Sequence, residues 1–430
     1  MLERLFKLRA HNTDVGTEVL AGATTFLTMA YIIFVNPAML ADAGMDKGAV
    51  FAATCIAAAI GSAVMGLYAN YPIALAPGMG LNAYFTYGVV LGMGHSWQVA
   101  LGAVFVSGCL FLILALTKVR EAIINAIPHS LKLAISAGIG LFLGIIAMKN
   151  AGIITGHQAT LVTLGNVAQP QAILAVAGFM VMVALDARKV PGAIMIAILG
   201  TTATGMALGV TPFGGIMSMP PSLAPTFLQM DVAAALNLGL IAIVFAFLFV
   251  DLFDNAGTLI GLAHRAGMLD EKGRLPRIGR ALIADSTAAM ASGVLGTSTT
   301  TSYIESAAGI KAGGRTGLTA VVVACCFLLA LFLAPLASSI PAYATAPALL
   351  FVACLMARGL ADIAWDDLTE AVPAVVTALA MPLTFSIAHG ISFGFIAFVG
   401  IKVLAGRWRD VSPTAALLAV AFVLKYALLG

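Results

Sequence analysis

The chain has 430 residues, 61% of them hydrophobic and only 10% charged, with a formal net charge of +3 and a mean hydropathy of +1.04. About a quarter of the residues of a soluble domain are charged, so this balance excludes a soluble globular protein, and the small net charge gives no reason to expect nucleic acid as a partner. The five cysteines include no CxxC pair, and Cys325–Cys326 lies inside an apolar run, so they read as packing thiols rather than metal ligands or disulfides.

Apolar runs of about 20 residues suffice to cross a bilayer core of about 30 Å. In chain order the spacing predicts spans near 17–37, 50–70, 74–93, 97–117, 131–149, 171–187 and 190–210. The first run is too long for a cleavable signal peptide and reads as a first helix. A polar, proline-rich linker, "TPFGGIMSMPPSLAPTFLQMDV", follows over 211–237. A second set falls near 238–263, 279–295, 297–311, 316–336, 345–360, 371–388 and 391–405, and a last apolar stretch covers 412–428. The fold class expected is an all-α polytopic membrane protein of about 14 segments, the 412–428 stretch being either an extra helix or half of a bent one.

Lysine and arginine are retained on the cytoplasmic side. With the N-terminus "MLERLFKLR" inside, the loops carrying Lys118, Arg120 and Lys132, Arg188 and Lys189, Arg265 to Arg280, Lys311 and Arg315, and Arg407 and Arg409 all fall inside, and only Lys47 and Lys149 fall outside. Seven spans per half place the second half upside down relative to the first, an inverted repeat of the kind many secondary transporters use.

Two segments break the helical pattern at matching places. "ALAPGMGLNAYF" (74–85) carries a proline and two glycines, and "GVLGTSTTTSYIESAAGIKAGG" (293–314) carries a run of hydroxyl residues, then Tyr303 and Glu305. Pro77 removes a helical hydrogen bond and pushes Ala76 toward an extended conformation, and the hydroxyls compete with helical bonding. Segments 3 and 10 are therefore expected to begin as short strands and continue as half-helices. Such backbone is tolerated at membrane depth only where protein or a water-filled cavity covers it. The free N–H groups of the half-helices would face a polar ligand there, with Asn82 and Tyr84 beside them. A proline kink with small residues for close packing is the bland alternative, which the matched pair disfavours.

In the eighth span, "LGLIAIVFAFLFVDLFDNAGTLIGLAHRAG", Asp251, Asp254, Asn255 and Thr258 share one helical face. Carboxylates within a span are costly and point to function, and two of them one turn apart suit a proton carrier. The alternative is structural pairing with Lys311, Arg315 or backbone groups. Asp285 reads as helix packing or capping, Gly140 and Gly144 as a helix contact, and His389 as a turn residue. The sequence contains no Walker A, GxSxG or HExxH pattern.

Over nearly its whole length the chain resembles the nucleobase–cation symporters of the second type, in the nucleobase–ascorbate transporter superfamily, and within them the azaguanine-like branch of purine permeases. "FLTMAYIIFVNPAML", "ALAPGMGLNAYF", "FLFVDLFDNAGTLIG" and "GTSTTTSYIESAAGI" carry the resemblance. It implies fourteen spans in two inverted repeats, with a core domain over 1–130 and 238–340, a gate domain over 131–210 and 341–430, and an extracytoplasmic linker over 211–237. It also implies an elevator-like cycle, often in a homodimer, that takes up purine bases with protons across the inner membrane. No enzymatic activity, metal or cofactor is expected; the proton gradient is the drive. Asn82, Asp251, Asp254 and Glu305 fall at the family's binding and coupling positions. The expected base-binding residues are Glu305, Asp251, Asn82, Tyr84, Phe26, Thr301 and Ser302; Asp254, Asp251 and Glu305 are the expected proton-coupling acids. A carboxylate such as Glu305 matches the N1–H and 2-amino donors of guanine, which favours guanine and hypoxanthine over adenine. An anion transporter of the same fold fits three acids poorly. An intramembrane aspartyl protease would need its aspartates on separate spans.

Overall fold

The computed structural model describes residues 2–117, 128–158, 160–237, 240–265, 268 and 275–429. Lys118, Arg120 and the loop residues 269–274 lie outside these, as do the side chains of Phe253 and Asp254.

The first span is two helices, α1 (Val15–Met29) and α2 (Ile32–Asp42), in one 28-residue apolar stretch. At their junction the bonding tightens to i→i−3, Ile33 N–H to the Ala30 carbonyl at 3.1 Å and Phe34 N–H to Tyr31 at 3.0 Å. Pro37 further weakens α2 by removing one donor. There follow α3 (Lys47–Val64), which runs on as a π turn to Ala69, strand β1 (Leu75–Pro77), α4 (Met79–Ala83), continued as a π-helix to Gly92, and α5 (Trp97–Leu116). Next come α6 (His129–Asn150), an exposed hairpin of β2 (Ile154–His157) and β3 (Leu161–Leu164), α7 (Pro170–Ala187) and α8 (Ala193–Ala207). The second half holds α9 (Ile241–Arg265), α10 (Ile278–Leu295), β4 (Thr300–Ser302), α11 (Ser306–Lys311) and α12 (Gly317–Ala330), which a 3₁₀ turn and a short helix extend to Ser339. It closes with α13 (Ala342–Ala357), α14 (Leu368–Thr384), α15 (Ile387–Leu404) and α16 (Pro413–Leu429). Among the described residues eight helices are long and apolar enough to cross a membrane, and α8, α14 and parts of α9 and α16 are apolar but shorter.

The hairpin between α6 and α7 was not foreseen, because its residues alternate too weakly to read as strands. The 412–428 stretch forms a helix of its own, packed on α15. His389 sits in the first turn of α15 with its ring against Phe393 and Tyr426, rather than in a turn. Gly140 and Gly144 meet α13 as expected, at Met356 and Ala353.

The helices pack in two groups. α12 lies on α1 and α3, α10 on α3 and α5, and α9 on α5; separately, α13 and α14 lie on α6, α15 on α14, and α7 on α8 and α13. Within the first group the 66 and 317 backbones touch: a Cβ on Gly66 would strike the Gly317 carbonyl, and one on Gly317 the Gly66 carbonyl. That approach lets Asn70 accept from the Gly317 N–H at 2.7 Å while donating to the Phe6 carbonyl at 3.1 Å. The second group is tied at one end by ion pairs. Lys402, only 1% exposed, meets Glu370 at 2.6 Å, and Glu370 also accepts from the Ser130 hydroxyl. Arg407 joins Asp367 at 2.6 Å and Asp410 at 2.9 Å.

Candidate functional site

β1 and β4, 225 positions apart at Leu75 and Thr300, pair antiparallel with Leu75 opposite Ser302, Ala76 opposite Thr301 and Pro77 opposite Thr300. The bonding extends beyond the strands. The Gly78 N–H donates to the Thr299 carbonyl at 2.9 Å and the Tyr303 N–H to the Ala74 carbonyl at 2.9 Å. The Tyr303 hydroxyl donates to the Pro77 carbonyl at 2.6 Å, and the Ala74 N–H to the Ser306 hydroxyl at 3.0 Å. Pro77 has no N–H, so its carbonyl is the group that needs a partner, and Tyr303 supplies it. Both broken segments thus form the expected strand followed by a short helix, and they form one unit.

Successive side chains of a strand point to opposite faces, which divides the hydroxyl run. Thr300 accepts from Ser292 at 2.7 Å and Ser302 donates to Asp285 at 3.4 Å, so both face α10. Ser62 of α3 bonds both the N–H and the carbonyl of Leu75 on that same side. Thr301 points the other way, over Gly78, where a Cβ would lie 2.7 Å from its methyl. The two expected hydroxyls therefore separate: Thr301 points away from α10, over Gly78, and Ser302 points to α10. Asp285, read as packing, is the buried partner of Ser302.

The elements at this crossing carry several fully buried polar groups. The side-chain amide of Asn82, the hydroxyl of Tyr84 and the hydroxyl of Thr301 have no hydrogen-bond partner among the described residues; nor has the amide of Asn255. Leaving such a group unpaired costs about 1–3 kcal/mol each, so their presence at the centre of an apolar bundle marks a place built for a polar ligand or water. The Tyr84 ring stacks at a tilt against Phe247, centroids 4.9 Å apart. Phe247 is one helical turn before Asp251 on α9, which itself packs on β4, α4 and α11. Asp251 is fully buried. Asp254 follows on the same helix, its side chain outside the described residues.

Glu305 sits at the N-terminal edge of α11. Its carboxylate accepts from the Tyr31 hydroxyl at 2.6 Å, and its carbonyl from Thr28 at 3.4 Å. The α1–α2 junction is what brings Tyr31 there, so the break in the first span serves the site. Phe26, one turn earlier, meets Phe327 of α12 edge to face with centroids 5.2 Å apart. Phe26 is only partly buried there.

Sequence reasoning missed three buried polar residues that hold this region together, the third at the start of α12. Tyr31 was one. Asn36, in the quoted "FLTMAYIIFVNPAML", is fully buried and donates to Thr54 at 2.7 Å and Thr297 at 2.8 Å, pinning the start of segment 10 to the first two spans. Glu18 is fully buried on α1 and accepts from the N–H groups of Arg315 (2.9 Å), Thr316 (3.2 Å) and Thr319 (3.2 Å) and the Thr319 hydroxyl (2.6 Å). An anion there satisfies the orphan donors of the α12 N-terminus. A polar residue within an apolar run was the available signal for each.

Long apolar helices around a buried polar centre made from two crossed, broken segments define a multi-pass membrane protein of the transporter class rather than an enzyme. The chain belongs to the permease family that includes the nucleobase–ascorbate transporters, whose profile matches residues 16–393. It is 49% identical over 425 residues to the adenine permease AdeP of Escherichia coli, covering 99% of this chain and 96% of that protein. It is 46% identical over 440 residues to the guanine/hypoxanthine permease PbuG of Bacillus subtilis, covering both chains in full. Among solved structures, the transmembrane domain of the cyanobacterial bicarbonate transporter BicA matches with a TM-score of 0.66 at 18% identity, over 90% of this chain and 97% of that one. At that identity the likeness concerns the fold.

Proposed function

We propose that the protein takes up purine nucleobases with protons by alternating access. The observation that carries this reading is the β1–β4 crossing, with the buried side chains of Asn82 and Thr301 lacking a partner among the described residues and the Tyr31-bound carboxylate of Glu305 four residues after Thr301. A purine offers ring N–H donors to carboxylates and ring acceptors to amide and hydroxyl donors, so it would satisfy the buried groups that the protein leaves open. Tyr84, held against Phe247, offers an aromatic face. The permease relatives named for purines support the same substrate class.

In this reading the chain spans the inner membrane fourteen times as a seven-plus-seven inverted repeat, N-terminus inside. The α1–α5 and α9–α12 group is the core that carries the base, and the α6–α8 and α13–α16 group is the gate against which it slides, in a homodimer. Asp254 or Asp251 takes a proton from outside as the base binds. A charged carboxylate at the bilayer centre costs about 2.5–3.5 kcal/mol on insertion scales; protonation removes that charge before the core moves. Glu305 holds the base, and Tyr31 holds Glu305. Guanine and hypoxanthine are the favoured substrates because a carboxylate complements their N1–H. An adenine preference is the second reading, favoured by the similarity to an adenine permease.

The test is uptake of radiolabelled hypoxanthine and adenine by cells without purine permeases, at several pH values, with unlabelled bases, uracil and bicarbonate as competitors. Uptake that rises at acidic pH, collapses with a protonophore and is blocked by guanine supports the reading. Block by adenine with little hypoxanthine uptake keeps the mechanism and reverses the substrate. Block by bicarbonate, or no base uptake by correctly inserted protein, refutes it.

A further inference from the structure

The segment 211–230 joins α8 to the second half and belongs to no helix. It is part of a 41-residue stretch, 190–230, that carries no charged residue. The first part of that stretch is helix α8, but an uncharged 20-residue loop over 211–230 is unusual, since water-facing connections are where charge normally collects. Its backbone is nevertheless tied down. The Thr211 hydroxyl bonds the Tyr343 hydroxyl at 2.7 Å, and the Gly214 N–H donates to the Ser339 hydroxyl at 2.9 Å. The Ser218 N–H donates to the Phe332 carbonyl at 3.0 Å. Further on, the Leu228 N–H donates to Val294 at 2.8 Å and the Asp231 N–H to Gln98 at 2.9 Å.

The Ser218 bond fixes the depth. Phe332 lies in the 3₁₀ turn that interrupts the apolar span 317–339, ahead of Pro335. It comes seven residues before the end of that span at Ser339, about 10 Å below it at 1.5 Å per residue. At 23 residues the span is somewhat longer than a bilayer core requires. Ser218 therefore lies several Å inside the upper acyl region, where irregular backbone is tolerated only when protein satisfies it, as the Phe332 carbonyl does for the Ser218 N–H. The side chains around it are large, apolar and outward: Phe213 is 61% exposed, Ile216 57%, Met217 69% and Met219 81%. They continue the outward apolar surface of the same span, where Leu329 is 69% and Phe332 38% exposed.

We propose that residues 213–219 form a membrane-interface anchor, with Phe213, Ile216, Met217 and Met219 inserted among the upper acyl chains of the leaflet on their side. Amphipathic helices bind the boundary of headgroups and acyl chains by burying apolar side chains about 5–10 Å deep, and the same burial is open to an apolar non-helical segment whose backbone is bonded to the protein. Continuity with the lipid-facing surface of the span, and the absence of charge, select lipid over a soluble partner. The inference does not rest on the substrate or on proton coupling.

The test places single nitroxide labels at Ile216→Cys and Met219→Cys in the full chain, with its five native cysteines replaced, in proteoliposomes. Labels at Leu329→Cys and His157→Cys serve as lipid and water references. We expect both strap labels to collide with dissolved oxygen several-fold more than with a water-soluble nickel chelate, as at Leu329. Collision with the chelate as at His157 would overturn the proposal in favour of an aqueous lid. Dipolar broadening that disappears on dilution with unlabelled protein would overturn it in favour of a contact between copies. If the cysteine-free chain does not fold, Met219→Trp in the natural chain replaces it. Extra emission quenched by lipid brominated high on the acyl chain supports the anchor, and quenching by aqueous iodide refutes it.

Discussion

Tyr31→Phe removes one hydroxyl and keeps the buried ring. In the structure that hydroxyl has the carboxylate of Glu305 as its partner at 2.6 Å. Hydrogen bonds to charged groups contribute about 1.5–3 kcal/mol. At 1.4 kcal/mol per factor of ten, base affinity should fall roughly 10- to 150-fold if Tyr31 orients Glu305 for the base. The assay is binding of radiolabelled base to purified protein, paired with initial uptake rates in cells. Glu305→Ala alone should lose more. In that background Tyr31→Phe should change binding by no more than about twofold, since the group it orients is gone. A merely structural hydroxyl would instead lower the melting temperature equally in both backgrounds. The same loss of affinity with and without Glu305, or natural affinity in Tyr31→Phe, would refute the positioning role.

Thr301→Val should weaken base binding with little loss of stability, whereas Thr300→Val should lower the melting temperature and spare affinity; equal effects would contradict the division of the strand's two faces. Glu18→Ala leaves the N–H groups of Arg315 and Thr316 at the start of α12 without an acceptor, and each unsatisfied donor costs about 1–3 kcal/mol, so detergent-solubilised protein should melt well below the natural chain. Lys402→Met should destabilise by less, about 1–3 kcal/mol, because Glu370 is 24% exposed and partly screened; the double variant with Glu370→Met should recover most of the loss in thermal unfolding. Hydrogen bonds from the Thr369 hydroxyl and from Arg407 hold the Asp367 carboxyl well below the usual carboxylate range. A group whose folded pKa is depressed stabilises fully above its unfolded value, about pH 4, and less as pH falls through the folded value. The melting difference between the natural chain and Asp367→Asn should therefore be largest near neutrality and shrink below about pH 4; a difference that grows on acidification would contradict it.

Hydropathy alone placed nearly every helix, because a lipid-crossing segment must be apolar for its whole length and hydrogen-bond its own backbone. The same rule exposed the exceptions: Pro77 with its glycines, and the hydroxyl run before Glu305, cannot be plain lipid-crossing helix, and both became strands. Asp251 and Asn82 were legible as candidates for a similar reason, since a polar side chain in an apolar run needs a purpose. The local sequence left the partners open. Thr301 and Ser302 are neighbours of like chemistry, and only the strand formed with β1 sends one over Gly78 and the other to Asp285. Tyr31 meets Glu305 across 274 positions, and Glu18 reaches the start of α12 across some 300, because α1 packs between α11 and α12. The hairpin at 154–164 and the depth of Ser218 followed from the same source. Periodicity reports which face of an element is apolar; which element that face meets is decided by packing between segments far apart in the chain.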